Sequence, residues 1–154
     1  MTESIAAALE REHHEIDEAI DLFTGKLTNG AVEPTPLRHA SAALRRHIYL
    51  EEAFVFPPLR DAGLVAPIFV MLREHGQLWR TLDAIELELA LNPDVATLQK
   101  LGKELVVQLQ HHNPKEEQIL YPQADLALDQ QMTEQLHAFL ESGALPDGWV
   151  CERA

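Results

Sequence analysis

Leu44-Arg45-Arg46-His47-Ile48-Tyr49-Leu50-Glu51-Glu52-Ala53-Phe54-Val55-Phe56-Pro57 aligns without a gap with Leu109-Gln110-His111-His112-Asn113-Pro114-Lys115-Glu116-Glu117-Gln118-Ile119-Leu120-Tyr121-Pro122. The shared pattern is L-x-x-H-x-x-x-E-E-x-x-aliphatic-aromatic-P. The repeat extends upstream. Glu12-His13 pairs with Glu74-His75, and Ile16, Ile20, Phe23 and Leu27 pair with Leu78, Leu82, Ile85 and Leu89. The offset is 62 residues in the upstream half and 65 in the downstream half, so the difference is absorbed in a loop. A chain that repeats itself once reads as two similar helical hairpins. A site between them has approximate two-fold symmetry.

Working outward, apolar residues recur at steps of three and four, which marks helices with one buried stripe each. The first stripe is Leu9, Ile16, Ile20, Phe23 and Leu27, ending near Thr28-Asn29-Gly30. Thr35-Pro36 is read as the N-cap and first position of a second helix. It carries Ala40, Leu44 and Phe54 and ends around Pro57-Pro58 and Gly63. The third spans roughly Val65 to Leu91, with Ile68, Leu72, Leu82, Ile85 and Leu89. Asp94 is the expected N-cap of the fourth. That helix carries Leu98, Leu101, Leu105, Leu109 and Ile119 and stops at Pro122. Pro114 inside it removes a backbone bond and is expected to kink it. A short fifth helix covers about Asp129 to Glu141. There is no strand pattern. The expected fold is all-α, an up-down four-helix bundle of two similar hairpins plus a short C-terminal helix. The bundle is assigned to residues 1–128, and residues 129–154 form a short helix and tail on the same domain.

The stripes contain polar residues where a core belongs. They are His13 on the first helix, His47 and Glu51 on the second, His75 on the third, and His112 and Glu116 on the fourth. Residues four apart share a helix face, so each His-x-x-x-Glu presents two donors side by side. Burying such groups without partners costs roughly several kcal/mol each. Four imidazoles and two carboxylates converging in a bundle form a ligand set for a metal pair, with two carboxylates able to bridge. A nitrogen and oxygen set without sulfur suits iron or manganese, and zinc also fits. The remaining charge invites a bridging oxide or hydroxide. Acid is expected to release the metal from about pH 6.5 downward, where imidazoles take up protons.

The neighbours are read more plainly. His14 and His111 stand about 100° off the stripe and belong at the surface. Glu52 and Glu117 are expected to face solvent or to pair locally. Glu12 and Glu74 are within reach of the imidazoles, but solvated faces are the expectation. His39 and His137 look ordinary. Phe23, Phe54, Phe56, Phe69 and Leu72 read as core, some of them walling a metal chamber.

Composition restricts the partners. The 154 residues hold 12 basic and 25 acidic side chains, a formal net charge of −13. That argues against nucleic acid and against an anionic membrane surface. No apolar run is long enough to span a bilayer. The N-terminus, Met1-Thr2-Glu3-Ser4, does not read as a signal peptide. Cys151 is the only cysteine, so a thiolate cluster is excluded, and a cytoplasmic location is expected.

The doubled pattern H…H-x-x-x-E…H…H-x-x-x-E, with its Glu-Glu and aromatic-proline endings, resembles the hemerythrin-like HHE cation-binding domain from about residue 5 to 125. The resemblance implies a non-haem di-iron site in a four-helix bundle. It implies His13, His47, His75 and His112 as terminal ligands, and Glu51 and Glu116 as bridges. Oxygen-carrying hemerythrins have H-x-x-x-H on the third helix. Here His75 is followed by Trp79, so the fifth histidine is missing. The symmetric position is Asp17, which either approaches the other iron or is solvated, solvation being the expectation. Trp79, Asp17, Phe54 and Leu72 are the candidates for lining the chamber. The ligand set is similar to hemerythrin-like proteins of iron sensing and of nitrosative or oxidative stress. The function implied is binding of, or reaction with, a small diatomic, O2 or NO, supported by an unidentified redox or protein partner. The alternatives are an iron-responsive module read by a protein partner, and a weak peroxide- or NO-consuming enzyme. No general base, nucleophile or organic-substrate pocket is visible in the sequence beyond the metal residues.

Overall fold

A computed structural model describes residues 3–154. Met1 and Thr2, on which the reading of the N-terminus partly rests, lie outside the described residues. The chain forms α1 (Ile5–Thr28), α2 (Pro34–Leu50), α3 (Phe56–Asp61), α4 (Val65–Ala90), α5 (Val95–Lys115), α6 (Tyr121–Ala127) and α7 (Gln130–Ser142). One π-helical turn, Glu51–Val55, joins α2 to α3, and a second, Glu116–Leu120, joins α5 to α6. There is no strand among the described residues. The molecule is a helical bundle. α1 packs on α2 and α5, and α4 packs on α5 and α2, so the four long helices close a ring.

The starts are capped by short polar side chains that accept otherwise unpaired backbone N–H groups. Ser4 accepts from Ala7, Asp94 from Thr97 and Asp129 from Met132. Asp125 accepts the N–H groups of Ile5 and Ala6 at 2.8 and 3.2 Å, which ties α6 to the start of α1. The second helix begins one proline earlier than the sequence suggests. Glu33 is the N-cap, in extended conformation, and Pro34 is the first helical residue. Pro34 serves because its missing N–H falls where no intrahelical acceptor exists.

The fourth helical run does not stop at Pro122, and the second, expected to end around Pro57-Pro58 and Gly63, continues past both prolines to Asp61. Each passes through its π turn and resumes, with the proline in the first turn of α3 or α6. The wide turn inserts one residue into the ladder, and the proline's lost N–H falls at that irregularity. Pro114 lies inside α5, and a π turn also follows Tyr49, its counterpart, so the π turn does not depend on a proline at that position.

The π turn also moves the buried face by one position. Val55 and Leu120 are buried, whereas Ile119, expected in the core, is 50% exposed. Phe69, also expected in the core, is 51% exposed.

The core is divided. One apolar cluster includes Ile16, Ile20, Leu44, Leu78 and Leu109; the other includes Leu9, Leu50, Val55, Leu72 and Leu120. On each long helix the six inward polar residues fall between these two clusters. The C-terminal segment packs on the bundle. Arg46 donates to the carbonyls of Phe139, Leu140 and Gly143, which ties the end of α7 to α2. Trp149 meets Trp79 and Tyr49, and Cys151 is buried in the first cluster. No described helix is long and apolar enough to cross a membrane.

Candidate metal centre

The structure brings all six sequence-derived residues together. His13, His47, Glu51 and Glu116 form one group and Glu51, His75, His112 and Glu116 a second. Within each, one donor atom per residue lies within 4.8 Å of the others. All six residues are buried, with Glu51, His75 and Glu116 at zero exposure. The groups share only the two glutamates, which is the arrangement that lets two carboxylates serve two ions.

The Nε2 atoms face the shared carboxylates. His13 Nε2 lies 3.2 Å and His112 Nε2 3.1 Å from Glu116, and His75 Nε2 lies 3.2 Å from Glu51. His47 Nε2 lies 3.5 Å from Glu51.

On the outer side, carboxylates accept from Nδ1. Glu12 does so from His47 at 2.8 Å, Glu52 from His75 at 2.7 Å and Glu74 from His112 at 2.8 Å. A carboxylate on Nδ1 sets the ring orientation and makes Nε2 a better donor to a metal. Glu12, Glu52 and Glu74 therefore do not face solvent as expected. The reason is the packing of α1 on α2 and of α4 on α5. It turns Glu12 and Glu74, each beside an inward histidine, toward the neighbouring helix's imidazole, while Glu52, on the π turn after α2, reaches His75 where α2 packs on α4. Arg46 holds Glu12 and Lys115 holds Glu74 from outside.

Buried polar atoms need partners. Glu51 Oε1, Glu116 Oε2 and His75 Nε2 are buried with no hydrogen-bond partner. Acceptor oxygens facing imidazole nitrogens, with inner atoms unpaired, fit cations at the centre. The charge balance agrees. Burial disfavours charge on Glu51, and Glu116 beside it adds to that, so its carboxyl is raised above the ordinary range. Burial acts the same way on Glu116, but the surrounding imidazoles outweigh it and hold it well below. Burial lowers the His112 imidazole, yet Glu116 and Glu74 overcome this and raise it to about 9. His47 and His75 are raised in the same way, with Glu51 and Glu116 beside them. The raised Glu51 carboxyl and the raised imidazoles favour protons at the place that cations fit.

Tyr121 belongs to the site and was not singled out from the sequence. Its fully buried hydroxyl donates to Glu51 Oε2 at 2.8 Å. It also lies 2.8 Å from His13 Nε2 and 3.2 Å from His47 Nε2. Burial, with Glu116 and Glu51 close by, raises the phenol well above its ordinary value. The available signal was the single hydroxyl by which Tyr121 differs from its counterpart Phe56. Phe56 stacks on His75, with ring centroids 5.4 Å apart. The His13/His47 half therefore has a phenol that can hold a metal or hydrogen-bond a ligand, and the other half has an apolar ring.

Comparison with protein families matches residues 4–124 to the hemerythrin HHE cation-binding domain. The chain belongs to that family. Neither the curated proteins nor the solved structures compared gave a significant match.

The remaining candidates are placed unevenly in this hemerythrin-like bundle. Leu72 is buried one turn from His75. Trp79 is buried under the Arg45 guanidinium, 4.4 Å from its ring centre, and against Trp149. Phe54 lies against Tyr49 and Phe139, outside the ligand cluster, because the π turn gives the inward position to Val55. Asp17 is half-buried and lines a cleft of about 310 Å³ beside His13. His39 and His137 lie outside both donor groups.

Proposed function

We propose that this hemerythrin-like chain is a di-iron protein that binds or reacts with a small diatomic ligand, O2 or NO. The same reading includes an up-down order of the four long helices, with residues 1–128 as the bundle and 129–154 as its packed extension. The observation that carries it is the pair of donor groups sharing Glu51 and Glu116. His13 and His47 would hold one ion, His75 and His112 the other. An all nitrogen and oxygen set with two carboxylates suits iron, and manganese or zinc can occupy it. Iron held there supplies redox chemistry toward the ligand. The chain's own part is to orient three of the four imidazoles, those of His47, His75 and His112, through outer carboxylates and to bury the six donors between two apolar clusters. The Tyr121 hydroxyl is placed to hydrogen-bond a ligand at the His13/His47 half. With Trp79 in place of a fifth histidine, the reduced protein is expected to consume O2 irreversibly instead of carrying it.

Anaerobic titration of the metal-free protein with ferrous iron, followed by metal and protein quantitation, is the test. Saturation at two ions per chain is expected; saturation at one, or none, overturns the reading. Oxygen uptake by the reduced protein, followed by evacuation, decides between consumption and carriage.

One observation favours the second reading, a module whose metal state is sensed by a partner. The Glu152 N–H donates to Glu52 Oε1 at 3.0 Å, and the other Glu52 oxygen accepts from His75. The surface tail is thus one carboxylate away from the centre. A change in Trp149 fluorescence on metal loading would support it.

A further inference from the structure

The two halves of the bundle differ in what covers the centre. On the His75 side, the C-terminal tail lies over three positions. Gly76 meets the Arg153 carbonyl so closely that a Cβ would collide with it. Trp79 meets Trp149, and Glu52 accepts the Glu152 N–H. A fourth residue, Asp83, is held by Arg45 at 2.8 Å. The repeat assigns each a counterpart on the other side: His14 for Gly76, Asp17 for Trp79, Glu117 for Glu52 and Asp21 for Asp83. Among the described residues, no segment lies over these four as the tail does over the His75 side. They line the cleft of about 310 Å³, together with His13.

The cleft has the chemistry of a cation path. Three carboxylates and two imidazoles line it, and no lysine or arginine does. His13 is 3% exposed, and its Nδ1, alone among those of the four inward histidines, has no hydrogen-bond partner. The nearest carboxylate oxygen, Glu117 Oε1, stands 3.8 Å away. In the other three histidines a carboxylate closes this position at 2.7–2.8 Å. The Glu117 carboxylate is therefore left open to a visiting cation at the edge of the centre.

We propose that hydrated divalent cations reach the centre through this cleft, with Asp17 and Glu117 as a transit site outside His13, while the tail-covered His75 side is closed. The proposal rests on the reading of the six residues as a metal centre. Carboxylates at the mouth of a cleft raise the local concentration of cations and so the loading rate, and this effect is screened by salt.

The test is stopped-flow loading of metal-free protein with Co2+, followed by its absorption, with end-point metal quantitation. Asp17→Asn/Glu117→Gln keeps shape and removes two charges. It is expected to load about tenfold more slowly and to reach the wild-type stoichiometry. Glu104→Gln/Asp147→Asn makes the same charge change at exposed positions away from the cleft and is expected to load at about the wild-type rate. Added salt should slow the wild type more than the cleft variant. Equal rates in the cleft variant and wild type, or equal slowing by the control, overturn the proposal. A lower end-point in the cleft variant would make these residues permanent ligands and also overturn it. Wild-type protein that takes up no metal would instead overturn the metal-centre reading itself.

Discussion

At the scale of single residues, the centre couples proton and metal occupancy. Glu116 and Glu74 hold the His112 imidazole at about 9 against the opposing effect of burial. A metal binding near neutral pH must therefore displace a proton, and competition begins far above the 6.5 expected for a free imidazole. Zn2+ added at pH 7.5 in weak buffer should release protons, read with an indicator dye, and His112→Ala should release fewer. The same shifts affect the metal-free fold. His112 is raised, so its contribution is full below about 6.5 and lost as pH rises through about 9. Burial opposes charge on Glu74, but His112 and Lys115 lower it to about 2. Its contribution is full above about 4.5 and lost as pH falls through about 2. For these two groups, metal-free stability should be highest between about pH 4.5 and 6.5, and Glu74→Gln should flatten the acid limb of a Tm profile. Glu51→Ala and His112→Ala should both lower metal content and the loaded protein's Tm. His137→Ala, outside the donor groups, should change neither.

At the scale of elements, the π turns and the C-terminal tail position the site. Each π turn begins at a central glutamate, Glu51 or Glu116, and ends one residue before Phe56 or Tyr121. The inserted residue is what aims both the carboxylate and the aromatic ring inward. Tyr121→Phe should retain two-ion binding, because six donors remain, and should change the optical spectrum of the iron-loaded protein. A spectrum identical to wild type would place the phenol outside the metal environment. The tail is held by the absence of a side chain at Gly76. Gly76→Ala should displace it at a cost of about 1–3 kcal/mol, the usual range for forcing a methyl into packed structure. The buried Cys151 thiol should then react faster with a thiol reagent.

At the scale of the whole molecule, a layer of charge separates two apolar clusters, so the bundle is least self-sufficient at its middle. Ions that bind only the folded state add to its stability by mass action. At a free concentration one hundred times Kd the gain is about 2.7 kcal/mol per site. Chelation should therefore lower Tm clearly, and re-addition of metal should restore it. Unchanged melting after complete metal removal would mean that protons alone satisfy the layer.

The helical class, the internal repeat and the six inward residues were legible in the chain. Each is a matter of local periodicity: polar residues at stripe positions declare themselves whatever the neighbouring helices do. The stripe fails at Phe54 and Ile119, because a π turn changes the period and no local rule announces it. Glu12, Glu52 and Glu74 were misjudged because their partners lie on other helices, and only the packing of those helices decides which flanking carboxylate meets an imidazole. Tyr121 was hidden for the same reason. Its apolar counterpart Phe56 fits the same repeat position, and the hydroxyl acquires meaning only where the turn delivers it. The covered and open sides of the centre were beyond the repeat altogether. The two hairpins are alike in sequence, and it is the tertiary placement of the tail on one of them that makes the halves unequal.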